Sequence, residues 1–273
     1  MSLSERSGVA KQLPAGRRAD LAAFVATSGQ MTVASLAERY GVSIDTIRRD
    51  LDQLDADGVL VRTHGGAVSN TVVARIDRDV DVRLKLQAAE KDAIAELTAG
   101  LVNDGSVLML NGGTTTLAVA RHLADHRDLT VATNNLRIAE VLSPDAYRDL
   151  YVFGGSVRSV TQATTGPVTF QSAMGVEINL RCDLAIVAVG AVADDGYSTS
   201  NIGDAGMMSE MMQKASRVAV LADSSKFDRR LFAQIANLDR ADYFVSDVRP
   251  PEALYTALRE ANVDVVYPGS QSS

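Results

Sequence analysis

The sequence predicts a small α+β head followed by a larger α/β domain built on a mostly parallel sheet, and three observations carry that reading. Up to about residue 68, short helical periodicities lead into a glycine-rich hairpin pattern. Beyond about residue 85, strand-like runs alternate with helical ones. Charge divides the chain at the same place. Residues 1–70 carry eight Lys/Arg and eight Asp/Glu, so the whole net charge of −7 lies in residues 71–273. With 273 residues, 46% of them apolar, the chain can fill two cores.

In the head, Leu21, Phe24 and Val25 recur at helical spacing and Gly29 reads as a stop. Thr32 is placed to cap a second helix that buries Val33, Leu36, Ala37 and Tyr40. Gly41-Val42-Ser43 makes a tight break, and Ser43 can cap a third helix with Ile44, Ile47, Leu51 and Leu54 inward. Gly58 ends that helix. Val59-Leu60-Val61 and the run from Arg62 through Val68 read as a two-stranded hairpin. Residues 69–84, with alternating charges at Arg75, Asp77, Arg78, Asp79 and Asp81, read as a linker.

The body opens with a helix over roughly 85–102, turning Ala93, Ile94, Leu97 and Leu101 inward. Strands are expected at Val107–Leu110, Leu129–Thr133, Leu150–Phe153, Leu184–Val189, Val218–Leu221, Tyr243–Val245 and Val263–Val266. Helices are expected near Leu117–Leu123, Leu136–Leu142, Val168–Asn179, Ala205–Ala215 and Glu252–Ala261. Strands separated by helices imply a Rossmann-like parallel sheet covered on both faces, with ligands at the carboxyl ends of its strands.

Two short helices joined by a glycine turn form a helix-turn-helix, and the second is the one that enters a major groove. With Ile44, Ile47, Leu51 and Leu54 inward, Arg49 lies almost opposite, flanked by Asp45, Thr46 and Gln53. Arg48 borders the apolar face and can reach a phosphate. Arginine serves either task, since its fork matches guanine O6/N7 or a phosphate. Ser43 and Thr46 can donate to the DNA backbone near the positive helix end. Arg62 and His64 lie on the hairpin, a wing beside the adjacent groove. With a neutral head and an acidic body, DNA binding must rest on these locally placed residues.

The string Val42-Ser43, Thr46-Ile47-Arg48-Arg49-Asp50-Leu51, Gly58, Leu60, Arg62 and His64-Gly65-Gly66-Ala67 resembles the N-terminal winged helix of the DeoR/GlpR family of bacterial transcription regulators. The likeness covers residues 17–68 and continues through Arg83, Glu90-Lys91 and Ile94-Ala95 over nearly the whole chain. It implies a ligand-sensing regulator, usually a repressor of sugar or polyol metabolism, whose C-terminal domain has an isomerase-like fold similar to ribose-phosphate isomerase. It also implies a homo-oligomer, dimer or tetramer, held by the bodies. The expected boundaries are a winged helix-turn-helix domain at 14–68 (the helix-turn-helix at about 33–55), the linker at 69–84, a sugar-phosphate-sensing domain at 85–268 and a disordered tail at 269–273.

Four strand ends supply the expected effector site. Asn111-Gly112-Gly113-Thr114-Thr115-Thr116 opens a helix with free N–H groups, the positive dipole end and threonine hydroxyls, an anion site. It is no Walker loop, because no Lys follows, and G-x-G-x-x-G is absent. Thr133-Asn134-Asn135 offers amides for sugar hydroxyls. At Gly154-Gly155 a backbone can approach a ligand. Asp223-Ser224-Ser225-Lys226-Phe227 contributes the Lys226 cation. The family shows similar elements at these places, but two positions depart from it. Asn111 stands where an acidic residue is frequent. In the stretch 201–210, Ala205 stands where a Glu is frequent, and Ser209 and Glu210 where basic residues are.

The expected partners are operator double-stranded DNA, a small phosphorylated metabolite and further copies of the chain. No membrane partner is expected, since no apolar stretch is long enough to span a bilayer and MSLSERSGVAKQLPAGRR has no run suited to a secretory signal. That points to the cytoplasm. No cofactor and no metal are expected. Cys182 is the one cysteine and reads as a structural thiol. His122 and His126 are four apart without a third ligand and read as surface histidines. Met207, Met208, Met211 and Met212 read as a packing or subunit-contact stripe. The competing reading is a sugar-phosphate isomerase-like enzyme carrying a DNA-binding head. It could recruit Asp194, Asp195 and Lys226 but lacks a second convincing catalytic carboxylate, so no catalytic residue is assigned.

Overall fold

In the computed structural model, which describes residues 14–28, 30–56, 59–63, 66–69, 80–171, 174–178 and 180–270, the chain divides into two compact units, 1–77 and 78–273. The first begins with α1 (Pro14–Ser28), β1 (Gln30–Thr32), α2 (Val33–Tyr40) and α3 (Ile44–Ala56), followed by β2 (Leu60–Thr63) and β3 (Gly66–Ser69). Leu21, Val25, Val33, Leu36, Ile47, Leu51 and Leu54 bury against Leu60 and Ala67 in one small core. The caps act where the sequence places them. Thr32 Oγ1 accepts from the Ser35 N–H at 3.1 Å, and Ser43 Oγ from the Thr46 N–H at 3.2 Å. Gly41 ends α2 in the left-handed region at φ 60°, which makes the sharp turn into α3.

Two details of the head differ from expectation. Ile44, the first residue of α3, is not in the core; it is 45% exposed. The strand β1 was not expected. It pairs antiparallel with β3, so the wing is a three-stranded sheet in the order β1-β3-β2. Gly66 allows that pairing, since a Cβ there would collide with the Met31 carbonyl. Gly29, Gly58, His64 and Gly65 lie outside the described residues, as does the linker from 70 to 79. Of the linker expected at 69–84, Ser69 ends β3 and residues 80–84 belong to a helix, α4 (Val80–Lys85), which is separate from the helix that follows although one helix was expected from Lys85.

The body follows as α5 (Ala88–Ala99), β4 (Val107–Leu110), α6 (Thr114–His122), β5 (Leu129–Thr133), α7 (Ile138–Val141) and β6 (Tyr147–Val152). Two short antiparallel ribbons come next, β7 (Ser156–Arg158) with β8 (Ala163–Thr165), and β9 (Phe170–Gln171) with β10 (Glu177–Ile178). The expected helix at 168–179 is therefore absent among the described residues. After these come β11 (Cys182–Ala188), β12 (Ala191–Ala193), β13 (Gly196–Thr199), α8 (Ile202–Gln213) and β14 (Ala215–Leu221). The chain closes with β15 (Ala233–Ala236), β16 (Tyr243–Val245), α9 (Glu252–Glu260) and β17 (Asp264–Val266). Gly269 and Ser270, expected in a disordered tail, belong to a turn in which the Ser270 N–H donates to the Tyr267 carbonyl at 2.9 Å.

Seven strands form a parallel sheet in the order β17-β16-β14-β11-β4-β5-β6. Its side chains alternate between two cores, as a sheet buried on both faces requires. Leu108, Leu110, Leu184, Ile186, Ala219 and Leu221 face α5, α6 and α7. Met109, Ala185, Val187, Val218 and Val220 face α8 and α9. The second core also takes Val192, Tyr197 and Ile235 from a separate three-stranded sheet, β12-β13-β15. In α5 the buried stripe is Lys91, Ile94, Ala95, Thr98 and Ala99, while Ala93, Leu97 and Leu101 are half-buried. No helix among the described residues is long and apolar enough to cross a membrane.

Candidate nucleic-acid interface and ligand pocket

On α3, Arg48, Arg49 and Gln53 are exposed on the side away from Ile47, Leu51 and Leu54. Arg48 pairs with Asp45 one turn back at 3.2 Å. Arg49 makes no ion pair among the described residues. The hydroxyls of Ser43 and Thr46 lie 2.9 Å apart at the start of the helix, where N–H groups also point outward. Arg62 lies on β2 of the wing. Asp50, on the opposite side of α3, pairs with Arg17 of α1 at 2.7 Å and is buried. The helix is thus locked to the head by one face and presents two arginines and an amide on the other.

In the body, Gly113 caps α6 with no side-chain hydrogen bond, so the first N–H groups of the helix lie at its positive dipole end without a side-chain acceptor. The neighbouring side chains divide into scaffold and free groups. Asn111 bridges to β11, donating from Nδ2 to the Ala188 carbonyl and accepting from the Ala188 N–H, both at 2.9 Å. Thr116 Oγ1 donates to the Asn111 carbonyl at 2.7 Å. Thr133 Oγ1 donates to the Leu110 carbonyl at 2.7 Å and accepts from the Asn135 N–H. Asn135 Nδ2 donates to the Gly113 carbonyl at 3.2 Å. Asn111, Thr116, Thr133 and Asn135 therefore hold the loops in place. The Thr114 and Thr115 hydroxyls have no hydrogen bond among the described residues, and Asn134 has an unpartnered Oδ1.

The expected residues do not all converge on one point. Neighbouring strands lie about 4.8 Å apart, so Lys226 after β14 and Gly155 after β6, four strands along, are separated by roughly 20 Å. Gly154 and Gly155 are exposed, and Gly155 lies against the backbone of Thr165 and Gly166 at the crossing of the β7–β8 ribbon. Lys226 Nζ lies 4.0 Å from Asp223 Oδ2, and burial holds its pKa below the ordinary lysine value.

Three features escaped the sequence reading. Lys91 is a buried cation whose ammonium donates to the Arg83 carbonyl at 2.7 Å and to the Leu86 carbonyl, tying α5 to the end of α4. Its place three residues before Ile94, on the buried stripe, was the available signal. Arg158 of β7 and Thr165 of β8 both reach Asp204 of α8, at 2.5 and 3.0 Å. Close to them Gly112, Asn134, Asp204, Met207, Met208 and Met211 line a narrow cleft with room for about one water. The methionine stripe is thus core packing that also walls a cleft.

The remaining candidates have plain structural roles. Cys182 is buried, and burial pushes its thiol up to about 12. His122 and His126 are half-buried and not simple surface groups. His122 Nε2 meets Asp92 at 2.7 Å, and His126 Nε2 lies 3.2 Å from the Val102 carbonyl. No group of three or more metal-ligating His, Cys, Asp or Glu exists among the described residues. Asp194 and Asp195 are held by Arg230 between β12 and β13.

Comparison with known proteins agrees with this division of the chain. Residues 17–73 match the DeoR-like helix-turn-helix domain, and residues 86–248 the DeoR C terminal sensor domain. The HTH-type transcriptional repressor CsqR of Escherichia coli is 32% identical over 98% of both chains. The transcriptional repressor AccR of Agrobacterium fabrum is 34% identical, covering 85% of this chain and 88% of its own. The glycerol-3-phosphate regulon repressor of Escherichia coli is 26% identical, covering 89% and 94%. Among solved structures, ribose 5-phosphate isomerase A of Methanocaldococcus jannaschii aligns over 52% of this chain and 55% of its own, with 15% identity and a TM-score of 0.34. Matched in both of its domains and along nearly its whole length, the chain belongs to the DeoR family of DNA-binding transcriptional regulators.

Proposed function

We propose that this regulator is a repressor of carbohydrate or polyol metabolism genes, and that a phosphorylated sugar or polyol controls its affinity for operator DNA. The observation that carries the sensing half is the uncapped start of α6, where N–H groups and the Thr114 and Thr115 hydroxyls face no protein acceptor. The phosphate binds there, within reach of the Lys226 side. Relatives named as repressors, one of them of a glycerol-3-phosphate regulon, support the ligand class and the sign of regulation. On α3, Arg49 reads a base edge and Arg48 a phosphate, with Ser43, Thr46, Gln53, Arg62 and His64 completing the contact.

One neutral head binds weakly, so the working form is a homo-oligomer joined through its bodies, placing two heads on two half-sites. Ligand between strand ends favours one arrangement of bodies and so changes the spacing of the heads, with a reciprocal coupling of about 1–3 kcal/mol. The test is a gel shift of the pure protein on the DNA upstream of its own gene, with and without a panel of three- to six-carbon sugar and polyol phosphates. Turnover of the same panel is measured in parallel. Release from DNA by one member without turnover is the expected result. Turnover without any effect on DNA binding favours the enzyme reading.

A further inference from the structure

We propose that Arg83 of α4 grips the anionic group of the ligand together with Lys226, so that an occupied pocket fixes the helix into which the linker from the DNA-binding head runs. This rests on the proposed sensing role of the body and adds a route by which the pocket acts on the linker.

Three attachments hold α4 to the body. Leu84 packs into the core that α5 and α6 share. The helix lies against α6, the helix that opens the ligand site. From α5, the Lys91 ammonium donates to the Arg83 carbonyl at 2.7 Å and to the Leu86 carbonyl. It thus satisfies the C-terminal end of α4, where a cation is favoured. With six residues α4 is too short to hold its shape alone, so its order depends on these neighbours.

The same neighbours gather positive charge at the carboxyl ends of the strands. Because α5 packs on the sheet and joins β4 by a short turn, it runs opposite to that strand, which sets its first turn and Lys91 at those ends. There Lys91 is repelled by Arg83 and Lys226, and Lys226 by Arg83 and Arg229. Two carboxylates beside them are already engaged. Asp223 is 2% exposed and accepts from the N–H and hydroxyl of Ser225, while Asp247 accepts from the N–H and hydroxyl of Ser224. Crowded cations are relieved by an anion from outside. Lys226 and the start of α6 flank β11, so a phosphate over the end of that strand lies about 5 Å from either. Arg83 suits the remaining side of it, since a guanidinium takes two phosphate oxygens at once and stays charged where a buried lysine does not. Filling the pocket therefore draws α4 onto the body, and emptying it leaves the repulsion to loosen α4.

The experiment is hydrogen exchange read by mass spectrometry on the full chain, with and without inorganic phosphate, glycerol 3-phosphate, ribose 5-phosphate and fructose 6-phosphate, beside titration calorimetry with the same four probes. In the wild type, a bound probe is expected to slow exchange about tenfold or more in residues 80–87 as well as in 113–117. Arg83→Gln should bind that probe about tenfold or more weakly. At saturation it should still gain protection at 113–117 and gain none at 80–87. Arg83→Lys, which keeps the charge without the fork, should fall between the two in affinity. Protection confined to 113–117 in the wild type, or an Arg83→Gln affinity equal to that of the wild type, overturns the inference and leaves the phosphate site standing. Should Arg83→Gln fail to fold, the exchange pattern of the wild type decides alone. Binding of none of the four probes removes the proposed ligand class itself, and this inference with it.

Discussion

Arg17 Nε donates to Asp50 Oδ2 over 2.7 Å, a nearly solvent-free pair that joins the first helix of the head to the helix carrying Arg48 and Arg49. On the helix proposed to read DNA, an exposed carboxylate would be unfavourable for approach to phosphates. Its burial against a guanidinium keeps that charge off the face that carries Arg48 and Arg49 and ties the helix to α1.

Removing one partner leaves the other charge buried and alone. Asp50→Ala is expected to destabilise the head by about 3 kcal/mol. Hydrogen exchange read by mass spectrometry should show protection lost across 17–69 and kept in the parallel sheet of the body. Unchanged protection in the head would show that the pair contributes little.

The two exposed arginines should behave differently. Among the described residues Arg48 pairs with exposed Asp45 alone, and such an exposed pair adds little stability. Arg48→Ala should weaken binding to all DNA alike and lower the salt slope by about one. Arg49→Ala should cost about 1–3 kcal/mol on the operator and blur its sequence preference. Operator affinity unchanged in a folded double variant would exclude α3 as the reading element.

Much of the fold was legible because its signals are local. Thr32 and Ser43 announce their helices by capping them, and the seven parallel strands are short apolar runs bounded by turns. The segment 168–179 was misread as a helix. Val168 and Phe170, like Val176 and Ile178, alternate with period two, and Phe170 stacks on Phe153 at 5.2 Å, a contact that no local pattern reveals. At three residues, β1 is too short to leave a pattern of its own. The uncapped turn at 111–116 stood out in the sequence by its glycines and threonines. The division of labour within it was not. Whether Asn111, Thr133 or Asn135 faces a ligand or a neighbouring strand depends on partners 22 to 77 residues away.

Asn111 illustrates the point and gives a further test. Its amide donates to one backbone group of Ala188 and accepts from the other, extending the β4–β11 pairing by a side chain. A carboxylate, which only accepts, cannot do both. Asn111→Asp sets a carboxylate oxygen against the Ala188 carbonyl and is expected to destabilise the body by about 1–3 kcal/mol. Urea denaturation followed by circular dichroism checks this. A midpoint equal to that of the wild type would mean that the loop tolerates an acid here, as the frequent residue of the family suggests.

The last expectation concerns alkaline pH. Burial pushes the Lys91 ammonium down to about 8, with Lys226 and Arg83 adding repulsion and Asp223 opposing it. Between pH 8 and its ordinary value of 10.5 the unfolded chain holds a proton there that the folded chain has released, so stability rises with pH. Below pH 8 both states are protonated and the full cost of burial is present. Lys226, also lowered by burial, acts in the same direction. Cys182 acts in the opposite one. Pushed up to about 12, it keeps its proton above pH 9 while the unfolded thiol loses it, so stability falls as pH rises from there. The wild type should gain about 1 kcal/mol from pH 8 to pH 9, at the limit of 1.36 kcal/mol per unit for one proton, and gain less beyond. Cys182→Ala should continue to gain above pH 9, and Lys91→Met should lose most of the early rise. Urea midpoints at pH 7.5, 8, 9 and 10 under reducing conditions separate the three proteins. An early rise that persists undiminished in Lys91→Met would place its origin elsewhere.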